Sequence, residues 1–126
     1  MPPPKTRFAT ITLAPAIDSV AIVEDRLTPS AVHHLRETAP VAGGKGINVA
    51  KLLARHGCAV AAGGFLGEDD ADLFAATLAK AGIDDRFARV PGETRRNLML
   101  IDARGEYKLN RPAFPDMAYR RPAIAC

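Results

Sequence analysis

The stretch Gly43-Gly44-Lys45-Gly46-Ile47-Asn48-Val49-Ala50-Lys51-Leu52-Leu53-Ala54-Arg55-His56-Gly57 passes from a glycine-rich loop straight into a helical pattern. Apolar residues at 47, 50, 53 and 54 recur close to helical spacing. Gly57 supplies the stop, since it takes a left-handed conformation without steric cost. The next run, Cys58 to Phe65, is made of small apolar residues and reads as a strand buried on both faces. Loop, helix and strand in this order are the core of a parallel α/β unit.

Upstream, Phe8 to Leu13 is a β-branched, partly alternating strand. Pro15 ends it, because proline has no N–H to donate to a ladder, and Asp18 follows at its carboxyl end. Ser19–Val23 and Val32–Thr38 read as a hairpin around Thr28-Pro29-Ser30. It breaks the strand–helix alternation and is expected to project from it. Downstream, Asp69-Asp70 is placed to cap a helix running to about Ala81. Leu73, Phe74, Leu78 and Ala81 form its apolar stripe, and Gly82 ends it. Strands are then expected over Phe87–Val90, Thr94–Ile101 and Glu106–Leu109. Glu24-Asp25 and Asp84-Asp85 read as solvated turns. The expected class is α/β, a parallel sheet covered by helices.

Composition narrows the function. The chain has 126 residues, 48% hydrophobic and 25% charged, which are globular values and exclude disorder throughout. No apolar run approaches the roughly 18 residues of a membrane-spanning helix. The amino-terminal residues lack the apolar core of a signal peptide, so a cytoplasmic location and no membrane partner are expected. The net charge is +3. Lys5, Arg7, Arg120 and Arg121 lie at the two ends; without them thirteen bases face fourteen acids. A nucleic-acid binder concentrates its basic residues on one face of the folded body, so none is expected here. Cys58 and Cys126 form neither a disulfide framework nor a metal-ligand spacing, and no metal site is expected.

The glycine loop carries the strongest chemical signal. Gly43, Gly44 and Gly46 let the backbone approach a ligand closely. The amino-terminal end of the following helix favours an anion, and Lys45 adds a full charge. The spacing is neither a Walker A loop nor a dinucleotide fingerprint. Asp18, at a strand's carboxyl end, can accept hydrogen bonds from sugar hydroxyls or simply form a turn. Asn48, a mediocre helix former inside a good helix, points to a polar task or to a bond with the loop backbone. Arg95 and Arg96 are adjacent on a strand, so at most one faces a given pocket. No triad or catalytic carboxylate pair stands out, and His33 and His34 are not a chelating pair.

Four segments in order, Thr10-Ile11-Thr12-Leu13-Ala14-Pro15-Ala16-Ile17-Asp18, Gly43-Gly44-Lys45-Gly46-Ile47-Asn48-Val49-Ala50, Gly64-Phe65-Leu66-Gly67 and Thr94-Arg95-Arg96-Asn97, resemble the amino-terminal part of the ribokinase-like (PfkB) sugar kinase family. The likeness runs from about residue 8 to 115. It is strongest to the hexose-phosphate branch of 1-phosphofructokinase and tagatose-6-phosphate kinase. The resemblance implies a three-layer α/β sandwich with a small β lid, incomplete in this chain. Residues 1–116 would be the amino-terminal part of the kinase domain, with lid strands within about 19–39. Residues 117–126 would be an atypical tail arising from truncation or a shifted reading frame.

By the same resemblance, Asp18 would grip sugar hydroxyls, Gly43 and Gly44 would let the loop close on the sugar, and Asn48 would hydrogen-bond it. Lys45 and Arg95 would hold the substrate's phosphate. The implied reaction moves the γ-phosphoryl of Mg-ATP to a sugar phosphate, with fructose 1-phosphate expected before tagatose 6-phosphate or fructose 6-phosphate. The family's catalytic base lies in a Gly-Ala-Gly-Asp type motif, which this sequence lacks. No catalytic residue is therefore assigned, and the chain is expected to be inactive alone. The alternative is a non-catalytic fragment that binds sugar phosphate or pairs, as a homodimer, through its lid strands.

Overall fold

A computed structural model describes residues 6–112. Its elements are β1 (Arg7–Thr12), β2 (Ala16–Ile22), β3 (Arg36–Glu37), β4 (Val41–Gly43), α1 (Lys45–Arg55), β5 (Ala59–Gly67), α2 (Ala71–Ala81), β6 (Asp84–Val90), β7 (Arg96–Asp102) and β8 (Gly105–Leu109). A short 3-10 turn, Glu68–Asp70, leads into α2. The strands form two sheets. β1, β5 and β6 are parallel in the order β1-β5-β6. The second sheet runs β3-β2-β7-β8, with β4 also pairing β2.

The first sheet follows from its side-chain pattern. Val60, Ala62 and Leu66 alternate along one face of β5 and, with Phe87 of β6, bury against Ile47 and Ala50 of α1 and Phe74 and Leu78 of α2. The stripe expected on α2 is the buried one: Phe74 and Leu78 are fully enclosed, and Leu73 and Ala81 pack at its margin. Gly82 takes the left-handed conformation that ends the helix. Cys58 is half-buried at the core's edge; Cys126 lies outside the described residues.

Several expectations need correction. β5 is not buried on both faces: among the described residues only the helical side is covered, and Phe65 and Ile11 remain 39% and 73% exposed. β7 and β8 leave the helix-covered sheet. A parallel neighbour to β6 needs a crossover of a dozen or more residues, and the connection 91–95 is too short, so β7 pairs with β2 in the other sheet. The third strand shrinks to Arg36–Glu37, because residues 24–35 form a loop in which Thr28 N donates to His33 Nε2 at 3.0 Å. Asp70 makes no side-chain cap. Its carboxylate instead accepts from Thr94 N, at 3.0 and 3.1 Å. Asp85 lies inside β6 rather than in a solvated turn, and its carboxylate accepts from Arg89 Nη1 at 2.9 Å.

The two sheets meet where β1 hands over to β2 across Leu13-Ala14-Pro15 and where β4 hands over to α1. The first handover lies beside the start of β7, where Arg95 reaches Ala14 O and Pro15 O, and the second lies across β2 from it.

Candidate sugar-phosphate site

A cavity of about 500 Å³ opens at this seam. Asp18, Gly44, Lys45, Asn48 and Arg95 all line it, together with Asn97. Ile11 and Leu13, at the carboxyl end of β1, add an apolar wall. Asp18 neither directly ends β1 nor forms the alternative turn; it is the third residue of β2. There it pairs with Val41 on β4 and Asn97 on β7. The strand begins earlier because Ile17 N reaches Arg95 O at 2.8 Å, which starts the β2–β7 ladder directly after Pro15.

The glycine loop is built around this strand. Gly43 does not line the cavity; it lies beneath the Asp18 carboxylate, and an added Cβ would overlap Asp18 Oδ2. Gly44 is the N-cap of α1 with φ 136°, a conformation L side chains rarely adopt, and a Cβ there would sit 2.7 Å from Thr12 Cγ2. α1 starts at Lys45, two residues earlier than its apolar pattern suggests. Lys45 and Gly46 thus belong to the first turn, whose N–H groups have no intrahelical partner. The first helical bond is Asn48 N to Gly44 O at 2.9 Å. Lys45 and Asn48 are exposed on the turn that faces the cavity. Beneath this turn the Thr12 hydroxyl is buried with no hydrogen-bond partner among the described residues.

Arg95 is held by its own backbone surroundings. Its Nε donates to Pro15 O at 3.3 Å, Nη2 to Ala14 O at 3.1 Å and Nη1 to Arg111 O at 3.2 Å. A guanidinium has five N–H donors, so among the described residues two remain without a partner. Arg95 is therefore a clasp for the β1–β2 crossing as well as a residue of the cavity wall. Arg96 does not line the cavity. Thr94, fully buried, sets where β7 begins: its hydroxyl accepts from Gly67 N at 2.9 Å, and its N–H goes to Asp70. These contacts bring the Gly64–Gly67 and Thr94–Asn97 segments together.

Asn97 was not expected in the site. It donates from Nδ2 to Asp18 Oδ1 at 3.2 Å, and its Oδ1 accepts from Arg111 N at 3.3 Å. Its sequence signals were a polar residue among the apolar residues of a strand and its place at the end of the Thr94-Arg95-Arg96-Asn97 segment. The cavity holds one carboxylate and two cations, with an unpaired helix N-terminus beside them. It suits a ligand with hydroxyls at one end and an anion at the other. Among the described residues no cluster of acidic, His or Cys side chains could hold a metal ion, and no helix is long and apolar enough to cross a membrane.

A family model described as pfkB family carbohydrate kinase matches residues 9–115. The chain is 51% identical over 94 residues to the 1-phosphofructokinase of Xanthomonas campestris pv. campestris, covering 75% of this chain and 29% of that protein. It is 44% identical over 100 residues to the 1-phosphofructokinase of Escherichia coli K12, covering 79% of this chain and 32% of that protein. The chain thus spans about a third of the length of these relatives. A crystal structure of a putative phosphofructokinase from Staphylococcus aureus superposes with a TM-score of 0.75 at 31% identity, over 84% of this chain and 34% of that one.

Proposed function

This chain belongs to the pfkB family of carbohydrate kinases and has its ribokinase-like α/β fold, and on that premise we propose that its cavity holds the sugar phosphate of an ATP-dependent phosphoryl transfer, with fructose 1-phosphate as that substrate. The supporting observation is the convergence of Asp18, Lys45, Asn48 and Arg95, from three separate sequence segments, on one cavity. Asp18 accepts hydrogen bonds from sugar hydroxyls and Asn48 supplies an adaptable amide. Lys45, the α1 N-terminus and the two remaining Arg95 donors hold the phosphate. Gly44 lets the backbone come within reach, and Gly43 leaves room for the Asp18 carboxylate. The fructose 1-phosphate assignment follows the relatives named above; tagatose 6-phosphate and fructose 6-phosphate are its competitors.

In the family reaction Mg-ATP supplies the transferred phosphoryl group. The described residues do not fit its magnesium: among them no acidic cluster stands at the cavity, and Asp18 is its one carboxylate. Nor does a second acid stand ready as a base. The role assigned to the described residues is therefore to bind and orient the acceptor. Turnover by the 126-residue chain alone is not expected. The strands within 19–39 serve as part of a lid over the sugar, and that lid is the surface through which a homodimer would form. A cytoplasmic location belongs to the same proposal.

Titration calorimetry of the chain with fructose 1-phosphate tests this reading. Binding is expected, stronger than for fructose 6-phosphate or tagatose 6-phosphate. Asp18→Asn should weaken it about tenfold, as one lost hydrogen bond to a charged group would. Absence of binding, or binding indifferent to Asp18, would overturn the assignment.

A further inference from the structure

We propose that Asn97 is a positioning residue: it sets the direction of the Asp18 carboxylate and ties it to the chain leaving β8. This inference rests on the sugar-phosphate reading of the cavity. Asp18 and Asn97 are Cα partners across the parallel β2–β7 pair, so their side chains leave the same face of the sheet. Asn97 Nδ2 donates to Asp18 Oδ1 at 3.2 Å, and Asn97 Oδ1 accepts from Arg111 N at 3.3 Å. Chemistry dictates that orientation of the amide. An ionised carboxylate only accepts and a backbone N–H only donates, so the NH₂ group must face Asp18.

The second carboxylate oxygen, Oδ2, lies over Gly43. Asp18 is thus held between a donor on β7 and a bare backbone on β4, and its rotamer is set before any ligand arrives. Arg111 closes a ring around the site. Its N–H serves Asn97, and its carbonyl accepts from Arg95 Nη1, whose other nitrogens reach Ala14 and Pro15, just before Asp18. The residues that receive the sugar and the segment that follows β8 therefore share one hydrogen-bonded ring. Asparagine is a poor strand former, so its presence inside β7 is explained by this polar contact rather than by propensity.

Two measurements on the 126-residue chain test the proposal. In the ¹⁵N-labelled chain, Asp18→Asn should displace the Asn97 side-chain NH₂ resonances, which are assigned by their loss in Asn97→Ala. Unmoved resonances would overturn the link. In calorimetry, Asn97→Ala should weaken fructose 1-phosphate about tenfold while changing inorganic phosphate less than twofold, because phosphate alone does not use Asp18. In an Asp18→Asn background the same substitution should add less than twofold. Equal losses for both ligands, or full additivity with Asp18→Asn, would assign Asn97 a merely structural role and overturn the proposal. If the wild-type chain binds no fructose 1-phosphate, the functional reading falls; the NH₂ resonances still decide whether Asn97 holds Asp18.

Discussion

The two sheets are held together by different forces. The β1-β5-β6 sheet is organised by burial: Ile47, Ala50, Ala62, Leu66, Phe74 and Leu78 are wholly removed from solvent between it and its two helices. The β3-β2-β7-β8 sheet meets the helices chiefly at its β2–β4 end, where Ile17 and Ala42 join the buried cluster, and the rest of it carries no helix among the described residues. β8 is exposed along its whole length, and most of β7 is half-buried. It relies on its ladders and on side-chain-to-backbone ties. Asp102 accepts from Leu27 N at 2.9 Å, Arg104 N at 2.8 Å and Gly105 N at 3.1 Å, and Val20 N donates to Thr38 Oγ1 at 3.1 Å. A close-packed unit supplies the rigid loop and helix end, a looser polar unit supplies Asp18 and Asn97, and the cavity lies on the seam. Ligand closure is easiest where one wall is fixed and the other can adjust.

That contrast can be broken most strongly in the first sheet. Phe74→Ala should cost about 3–5 kcal/mol, because the deleted ring leaves a cavity between α2 and the sheet. Urea unfolding monitored by circular dichroism measures it; a loss below about 1 kcal/mol would contradict a burial-driven unit. At the seam, Gly46→Ala should cost about 1–3 kcal/mol through overpacking, since the new methyl would overlap Thr12 Oγ1 and lie 2.9 Å from Ile11 O. A thermal melt should show the loss, and sugar-phosphate binding should fall with it as the α1 N-terminus shifts. Unchanged melting would mean that the loop is not pinned to β1.

The second sheet should respond to acid through Asp102, which ties three backbone N–H groups. Leu27, Arg104 and Gly105 N–H groups hold the Asp102 carboxyl below the usual carboxylate range. A depressed folded value means that the contribution is fully present above the unfolded carboxylate value, about 3.9, and is lost as pH falls through the folded value. Protection of the Leu27, Arg104 and Gly105 amides, taken against their free-peptide exchange rates, should therefore fall as pH drops below the usual carboxylate range. Asp102→Asn should remove that pH dependence while amides in α2 keep theirs. The smallest effect belongs to the Asp85–Arg89 pair at the edge of the first sheet, whose mutual hydrogen bond lowers the carboxyl and raises the guanidinium. Both partners are partly exposed, so Arg89→Ala should cost no more than about 1 kcal/mol. A larger loss would mean that polar ties matter in the buried unit as well.

Much of the buried unit is legible without coordinates. The stripe of α2, the start signal in the glycine loop and the stops at Gly57 and Gly82 act over one or two helical turns, and there local periodicity and backbone freedom determine the outcome. The four motifs likewise group Asp18, the glycine loop and Arg95, and Asp18, Gly44, Lys45 and Arg95 do line one cavity. The second sheet was harder to read. Its strands alternate like those of the first, and only the short connection 91–95 hinted that β7 could not return beside β6. Asp70 carried every local sign of a helix cap, yet Thr94 N competes for its carboxylate from 24 residues away and wins.

The sequence by itself thus determined the α/β class, both helices with their buried faces, and most of the residues that line the cavity, with Gly43 outside it and Asn97 missed. Tertiary structure alone decided that Asp18 sits inside a strand against Asn97, 79 residues away, and that Arg95 is clasped to Pro15 across 80. The physical reason is range. Helix periodicity and caps are written into neighbouring residues, whereas strand register and cross-sheet hydrogen bonds exist only once distant segments pack, and no local pattern encodes which partner a polar side chain will meet.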